Sequence, residues 1–263
     1  MKKFLYLFAF AFMFIGLYDV KASTYYTSTK NVNFTKEQYD FVSEMFYDGY
    51  QEVMEQADLD KMVELDLIGK PISKKTIKDN LRSTSVYYAG RTLTIVTACS
   101  GDCLVALTAQ WGCKPNIQSW DVIGMRYTNN VVVNQIGPAT VSGTGYSATY
   151  YTTSTQYQNQ GNGFGYSVKL GNANNLKIST SMYTEPGGTV YGSYQHAVET
   201  VSLATSKLYT ISLGGYGSVF MFYGNAYGKY DGAPGVYKVI SYIINIHFVR
   251  SLCYWLNKMF FCA

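Results

Sequence analysis

Cys99-Ser-Gly-Asp-Cys103 sits between two runs of residues that alternate with period two, and this constrains the fold more than any other feature of the chain. Leu93, Ile95, Thr97 and Cys99 share one face of a strand, as do Cys103, Val105, Leu107, Ala109 and Trp111 on a returning strand. A three-residue turn at Ser100-Gly101-Asp102 sets Cys99 opposite Cys103, Thr97 opposite Val105 and Ile95 opposite Leu107. Both apolar rows then lie on one side, so register and hydrophobic pattern agree. The same register places the two Cys side chains across from each other, and a Cys99–Cys103 disulfide is expected. A metal site on Cys99, Cys103 and Cys113 lacks a nearby fourth ligand, and a redox pair would want Cys-X-X-Cys spacing.

The stretch around this hairpin has one consistent character. From Ser83 to Gly235 there are 12 charged residues against 21 Gly and 16 Tyr. Short strands and tight turns suit that composition, because aromatic and β-branched side chains fit a pleated surface. Strands are expected over 119–128, 131–135, 146–153, 164–170, 176–183, 189–201, 208–213 and 218–223. Asn129-Asn130 reads as a two-residue hairpin turn, and Pro186-Gly187 as the centre of a type II turn. The fold class expected is mainly β, an antiparallel β-sandwich or distorted barrel, with a short N-terminal helical subdomain.

Eleven of the 17 acidic residues lie between Glu37 and Asp79, and this contrast marks a boundary near residue 83. Thr35-Lys36-Glu37-Gln38 has the form of a capping box, with Phe34 and Tyr39 at the staple positions. Tyr39, Val42, Met45, Phe46, Gly49, Tyr50 and Val53 follow helical spacing, which predicts a helix over about 36–55. A second, shorter helix is expected from after Asp58 to before Gly69. Asp58, Asp60, Glu64 and Asp66 do not make a calcium loop, because Met62 and Val63 stand where ligands and a turn glycine belong. The division is 1–22 signal peptide, 23–82 helical segment, 83–238 β domain and 239–263 hydrophobic tail.

Lys2-Lys3, the apolar run Phe4 to Leu17 and Val20-Lys21-Ala22 have the three parts of a secretory signal peptide cleaved after Ala22. A helix of those 14 residues would be ~21 Å long, short against a ~30 Å bilayer core. An uncleaved anchor is the rival reading. Secretion or residence in the cell envelope is expected, which permits the disulfide. Without residues 1–22 the net charge is about +2, from 18 basic and 16 acidic residues, which speaks against nucleic acid as partner.

No constellation predicts catalysis, a metal or a cofactor. His196 has Ser193 and Glu199 as sequence neighbours, and Asp121 could reach it only through tertiary folding. Asp102, Asp121, Glu185, Glu199 and Asp231 are the few carboxylates open to glycosidase chemistry. A secreted hydrolase built on these groups is the alternative to a binding or surface-interaction module for a glycan or protein. For the binding reading, Tyr150, Tyr151, Tyr166, Tyr191 and Tyr194 are the candidate ligand contacts, since Tyr joins an apolar body to a polar tip. A third reading, a β-pore-forming or membrane-associated protein, rests on the Ser/Thr/Tyr-rich stretch 140–158, which lacks strict alternation.

The stretch TKEQYDFVSEMFYDGYQEVM, with SWDVIG and YGSVFMF, resembles uncharacterised exported proteins of low-GC Gram-positive bacteria. The resemblance spans residues 1–235. It implies export and brings no activity or site residue. After Gly235 the composition changes abruptly to an apolar run interrupted by Arg250 and Lys258. A membrane-contacting tail, a strand with a buried helix, and an out-of-frame end to the gene stand as readings, the last favoured by the abruptness. Cys253 and Cys262 are therefore poor candidates to pair with Cys113.

Overall fold

The computed structural model describes residues 23–79, 90–128, 130–213 and 218–240. The expected signal peptide over residues 1–22, Asn129 of the expected turn and the tail beyond residue 240 lie outside the described residues. Two antiparallel sheets pack face to face. One has six strands in the order β3 (Ile72–Asp79), β4 (Arg91–Ser100), β5 (Asp102–Trp111), β11 (Lys177–Thr184), β7 (Val133–Gly143) and β8 (Tyr146–Tyr150). The other has five, in the order β15 (Val236–Val239), β12 (Thr189–Gln195), β6 (Trp120–Tyr127), β10 (Gly163–Lys169) and β9 (Tyr157–Asn159). The fold is a β-sandwich with a helical N-terminal layer, preceded by the short paired strands β1 (Tyr26–Thr27) and β2 (Asn33–Phe34).

The β4–β5 hairpin has the register that alternation dictates. Cys99 faces Cys103, Thr97 faces Val105 and Ile95 faces Leu107, and the Cys99–Cys103 disulfide is formed across Cα atoms 4.0 Å apart. Its inner row joins Ile123, Phe164, Tyr166, Val168, Ile178, Met182 and Tyr194 in the core between the sheets. The opposite parity of the same hairpin is also buried. Val96, Ala98, Leu104 and Ala106 pack under the helical layer with Phe41, Val42, Met45, Leu59 and Met62. A strand with helices on one face and a sheet on the other is apolar on both sides.

The capping box is present at α1 (Lys36–Met45): Gln38 N donates to Thr35 Oγ1 at 3.2 Å, and Thr35 N donates to Gln38 Oε1 at 2.8 Å. The helix ends ten residues before the predicted boundary. Phe46 leaves helical backbone, and Gly49 takes the left-handed conformation at φ 92° before a 3-10 turn, Tyr50–Glu52. The apolar spacing continues past Met45 because this turn still presents Tyr50 and Val53 to the same core. α2 runs over Gln56–Glu64, starting two residues before Asp58. Residues 72–79 then leave the helical layer and form the edge strand β3.

One hairpin expectation is corrected. The segments on either side of Asn129-Asn130 do not pair: β6 lies between β10 and β12, and β7 lies between β11 and β8, in the other sheet. β6 and β7 lie in opposite sheets of the sandwich, and each strand finds its partners elsewhere. Pro186-Gly187 makes the crossing from β11 to β12, with Gly187 at φ 122°. A third layer lies outside the five-stranded sheet. There β13 (Tyr209–Ile211) pairs with β14 (Phe220–Phe222), beside α3 (Leu203–Ser206). Tyr209 and Phe220 rest on the paired Gly124 and Gly165, and a Cβ on Gly165 would come within 2.6 Å of the Tyr209 hydroxyl.

Candidate functional site

Among the described residues, a sealed cluster and an open groove each bring chemistry-bearing residues together. The sealed one lies at an end of the sandwich. β6 supplies Asp121, β12 supplies Tyr194, and the chain leaving β12 supplies His196. His196 Nδ1 lies 2.8 Å from Asp121 Oδ2. The Tyr194 hydroxyl donates to the same carboxylate oxygen, and Ala197 N donates to Asp121 Oδ1 at 3.1 Å. Trp111 Nε1 donates to the Tyr194 hydroxyl at 3.0 Å, and the Trp111 ring meets His196 edge-on with centroids 4.7 Å apart. Burial, with the Asp121 charge beside it, pushes the Tyr194 phenol well above its ordinary pKa, so it remains a donor.

A second carboxylate completes the cluster. Asp231, in the loop before β15, pairs with Arg91 Nη1 at 2.8 Å and accepts from His196 N at 3.2 Å. The Arg91 guanidinium lies over the Tyr194 ring, 5.0 Å from its centroid. Desolvation raises the Asp231 pKa, against the opposing pull of the Arg91 and His196 charges.

The cluster has two parts of a hydrolytic triad but not its access. Asp121 and His196 have no exposed side-chain surface, and Arg91 and Asp231 have 3% and 4%. A general base must come within hydrogen-bond reach of a substrate proton, and these groups are enclosed by core. Ser193 is committed elsewhere, its Oγ accepting from Val219 N at 3.0 Å. Glu199 pairs with Lys229. The cluster therefore ties β4, β5, β6, β12 and the loop before β15 together, across both sheets. The sequence offers His196, Asp121 and Asp231 among its few titratable groups and sets Trp111 on a strand face, but nothing in it singles out Arg91 or brings the five together.

The five candidate tyrosines do not form one site. Tyr166 and Tyr194 are core residues, at 0% and 1% exposure. The Tyr166 hydroxyl donates to Gly137 O at 2.9 Å, so its polar tip is used internally. Both lie in the core between the two sheets. Tyr150 is half-buried and its hydroxyl accepts from Lys169 N at 3.0 Å; burial raises its pKa to about 12. Tyr191 packs against Tyr237 at 6.0 Å on the other sheet. Tyr151 is exposed and donates to Glu55 Oε1 at 3.1 Å.

The open place is a groove of about 590 Å³ between the helical layer and the β7–β8 hairpin. Asp48, Gly49 and Glu52 form one wall, while Ser142 to Ser147, Asn175 and Lys177 form the other. Lys177 spans it, with Nζ donating to Asp48 O at 2.7 Å and lying 5.0 Å from the Tyr47 ring centroid. The Tyr47 hydroxyl accepts from Ser142 Oγ at 2.9 Å, which fixes one wall to the other. Gly145, at φ 73°, allows the tight turn of the hairpin that borders the groove. Hydroxyls, amides, one ammonium and two carboxylates converge here on a concave surface.

No protein-family model matches the chain, and no curated protein matches it. Among solved structures it is similar to the collagen binding domain of Erysipelothrix rhusiopathiae surface protein RspB, at 11% identity and a TM-score of 0.29. That likeness covers 48% of this chain and 50% of that one, so the chain spans half the length of the relative. It is also similar to ACE19, the collagen binding subdomain of Enterococcus faecalis surface protein ACE, at 8% identity and TM-score 0.28, covering 46% and 83% of the two chains. A third is the pilus backbone RrgB of Streptococcus pneumoniae, at 11% identity and TM-score 0.27, covering 48% and 32%. None of these likenesses carries a functional conclusion.

Proposed function

We propose that the protein is an exported binding module that holds a glycan or protein ligand outside the cytoplasm through the groove between the helical layer and the β7–β8 hairpin. The groove itself carries the reading: a concave surface of about 590 Å³ on which polar groups of opposite sign converge. The signal-peptide pattern and the disulfide support export. The hydrolase alternative has its best residues, His196, Asp121 and Asp231, enclosed in the core.

Screening the oxidised protein (residues 23–240) against glycans, bacterial cell-wall material and collagen tests this reading. A captured ligand should be lost with Thr144→Trp, which fills the groove from an exposed turn position, and weakened about tenfold with Lys177→Ala. A ligand held equally by wild type and both variants would place binding elsewhere.

A further inference from the structure

The two sheets have four edge strands, β3, β8, β15 and β9, and unpaired strand edges recruit other chains unless they are blunted. Three of them are blunted. β3 carries Lys74, Lys75 and Lys78. β15 has four residues and turns toward β3, with Lys238 bonded to Ser73 and Lys75 lying 3.3 Å from the Tyr237 ring centroid. β9 has three residues. β8, Tyr146-Ser-Ala-Thr-Tyr150, has five residues in unbroken register with β7 and carries no charge and no proline.

The two-residue turn Thr144-Gly145 makes Gly143 and Tyr146 the closing hydrogen-bonded pair. Alternation then directs the main-chain groups of Tyr146, Ala148 and Tyr150 toward β7 and those of Ser147 and Thr149 outward. Among the described residues, no partner takes these outward groups. Ser147 is exposed, and the other four residues of β8 are partly exposed.

The side chains fit one particular strand. Thr76, Thr94, Thr108, Ser179, Thr140 and Thr149 stand in register across all six strands. Their hydroxyls meet in pairs, Thr76 to Thr94 and Thr108 to Ser179, each at 3.0 Å. A second β8, antiparallel about a two-fold axis at Ala148, would place its Ser147 against Thr149 and extend this row. Ala148 would face Ala148 across the axis, a pair too small to clash.

We propose that β8 is a docking edge for a second copy of this chain, forming an isologous dimer with a continuous sheet through four outward backbone groups on each side. An edge of five residues buries less than a standard interface, so the dimer forms reversibly, with a dissociation constant on the order of 0.1 mM.

Sedimentation velocity over a range of protein concentrations, without ligand, tests assembly independently of what the groove binds. Wild type should move from monomer to dimer. Thr149→Pro removes an outward N–H, and Ser147→Lys places a charge on the edge; both should stay monomeric with unchanged thermal unfolding at low concentration. Residue 148 meets its own copy at about 4.5 Å between Cα atoms. With Cys113, Cys253 and Cys262 replaced by Ser, Ala148→Cys should therefore give a covalent dimer under copper-catalysed air oxidation, dioxygen taking the two electrons, and Thr149→Cys should not. A wild type that stays monomeric would overturn the proposal, as would a dimer unaffected by both edge variants. Protection of the Ser147 and Thr149 amides from exchange in a monomer would assign the edge to another segment of the same chain, and would also overturn it.

Discussion

His196 Nδ1 and Asp121 Oδ2 lie 2.8 Å apart with no solvent contact, joined across 75 residues of sequence. Asp121 accepts from the Tyr194 hydroxyl and Ala197 N as well as facing His196. Removing the acceptor strands three groups in the core at once, which costs more than any one hydrogen bond contributes. Asp121→Ala is expected to lower unfolding free energy by about 3–5 kcal/mol. Urea denaturation measures it, and a loss under about 1 kcal/mol would show that the cluster is not structural.

Asp231 gives the domain a pH dependence of definite sign. Its pKa is raised above the ordinary 3.8 by burial, so the folded state holds its proton to higher pH than the unfolded chain does. The associated stability is fully present below about pH 4 and is lost as pH rises through the raised value. Asp231→Asn should remove that decline, seen as the difference between wild-type and variant urea midpoints from about pH 4 upward. Parallel curves would rule the group out as its source.

The disulfide closes a very short loop, so its effect should be modest. Chain-entropy arguments give about 2 kcal/mol for a five-residue loop. Cys99→Ala with Cys103→Ala should lower stability by about that amount while keeping the sheet, because the β4–β5 ladder has ten paired positions and the bridge crosses one of them. Chemical denaturation with far-UV circular dichroism reads both quantities.

Gly124 faces Gly165 across β6 and β10, under the ring of Phe220. A Cβ there would meet Phe164 O at 2.1 Å and the Phe220 ring at 2.9 Å. The backbone oxygen cannot move aside without disturbing the ladder. Gly124→Ala should destabilise by about 3 kcal/mol, at the upper end for overpacking. Near-UV circular dichroism should report the loss of Tyr209 and Phe220 packing.

Thr35 caps α1 from both directions, and Thr35→Ala should cost about 1 kcal/mol. Thr35→Ser should recover most of it in the same thermal unfolding experiment.

Much of this was legible in the sequence because it is local. Period-two alternation fixed the β4–β5 register, and through it the disulfide. The box at Thr35 and Gln38 fixed where α1 begins, since both partners lie within one helical turn. Where the chain offers two local outcomes, the sequence was less decisive. Apolar spacing continued past Met45, while Gly49 turned the backbone.

Tertiary structure alone decided which strands are neighbours and which polar groups meet. Alternation assigns a residue to a face but says nothing of the strand beside it, so β6 and β7 adjoin in sequence yet lie in different sheets. The meeting of Arg91, Asp121, His196 and Asp231 follows from the same cause. Their partners are set by long-range burial, and a charge enclosed in the core keeps its place only where another chain segment arrives with its complement. Sequence named the tyrosines, but packing separated Tyr166 and Tyr194, which fill the core, from Tyr151, which meets solvent.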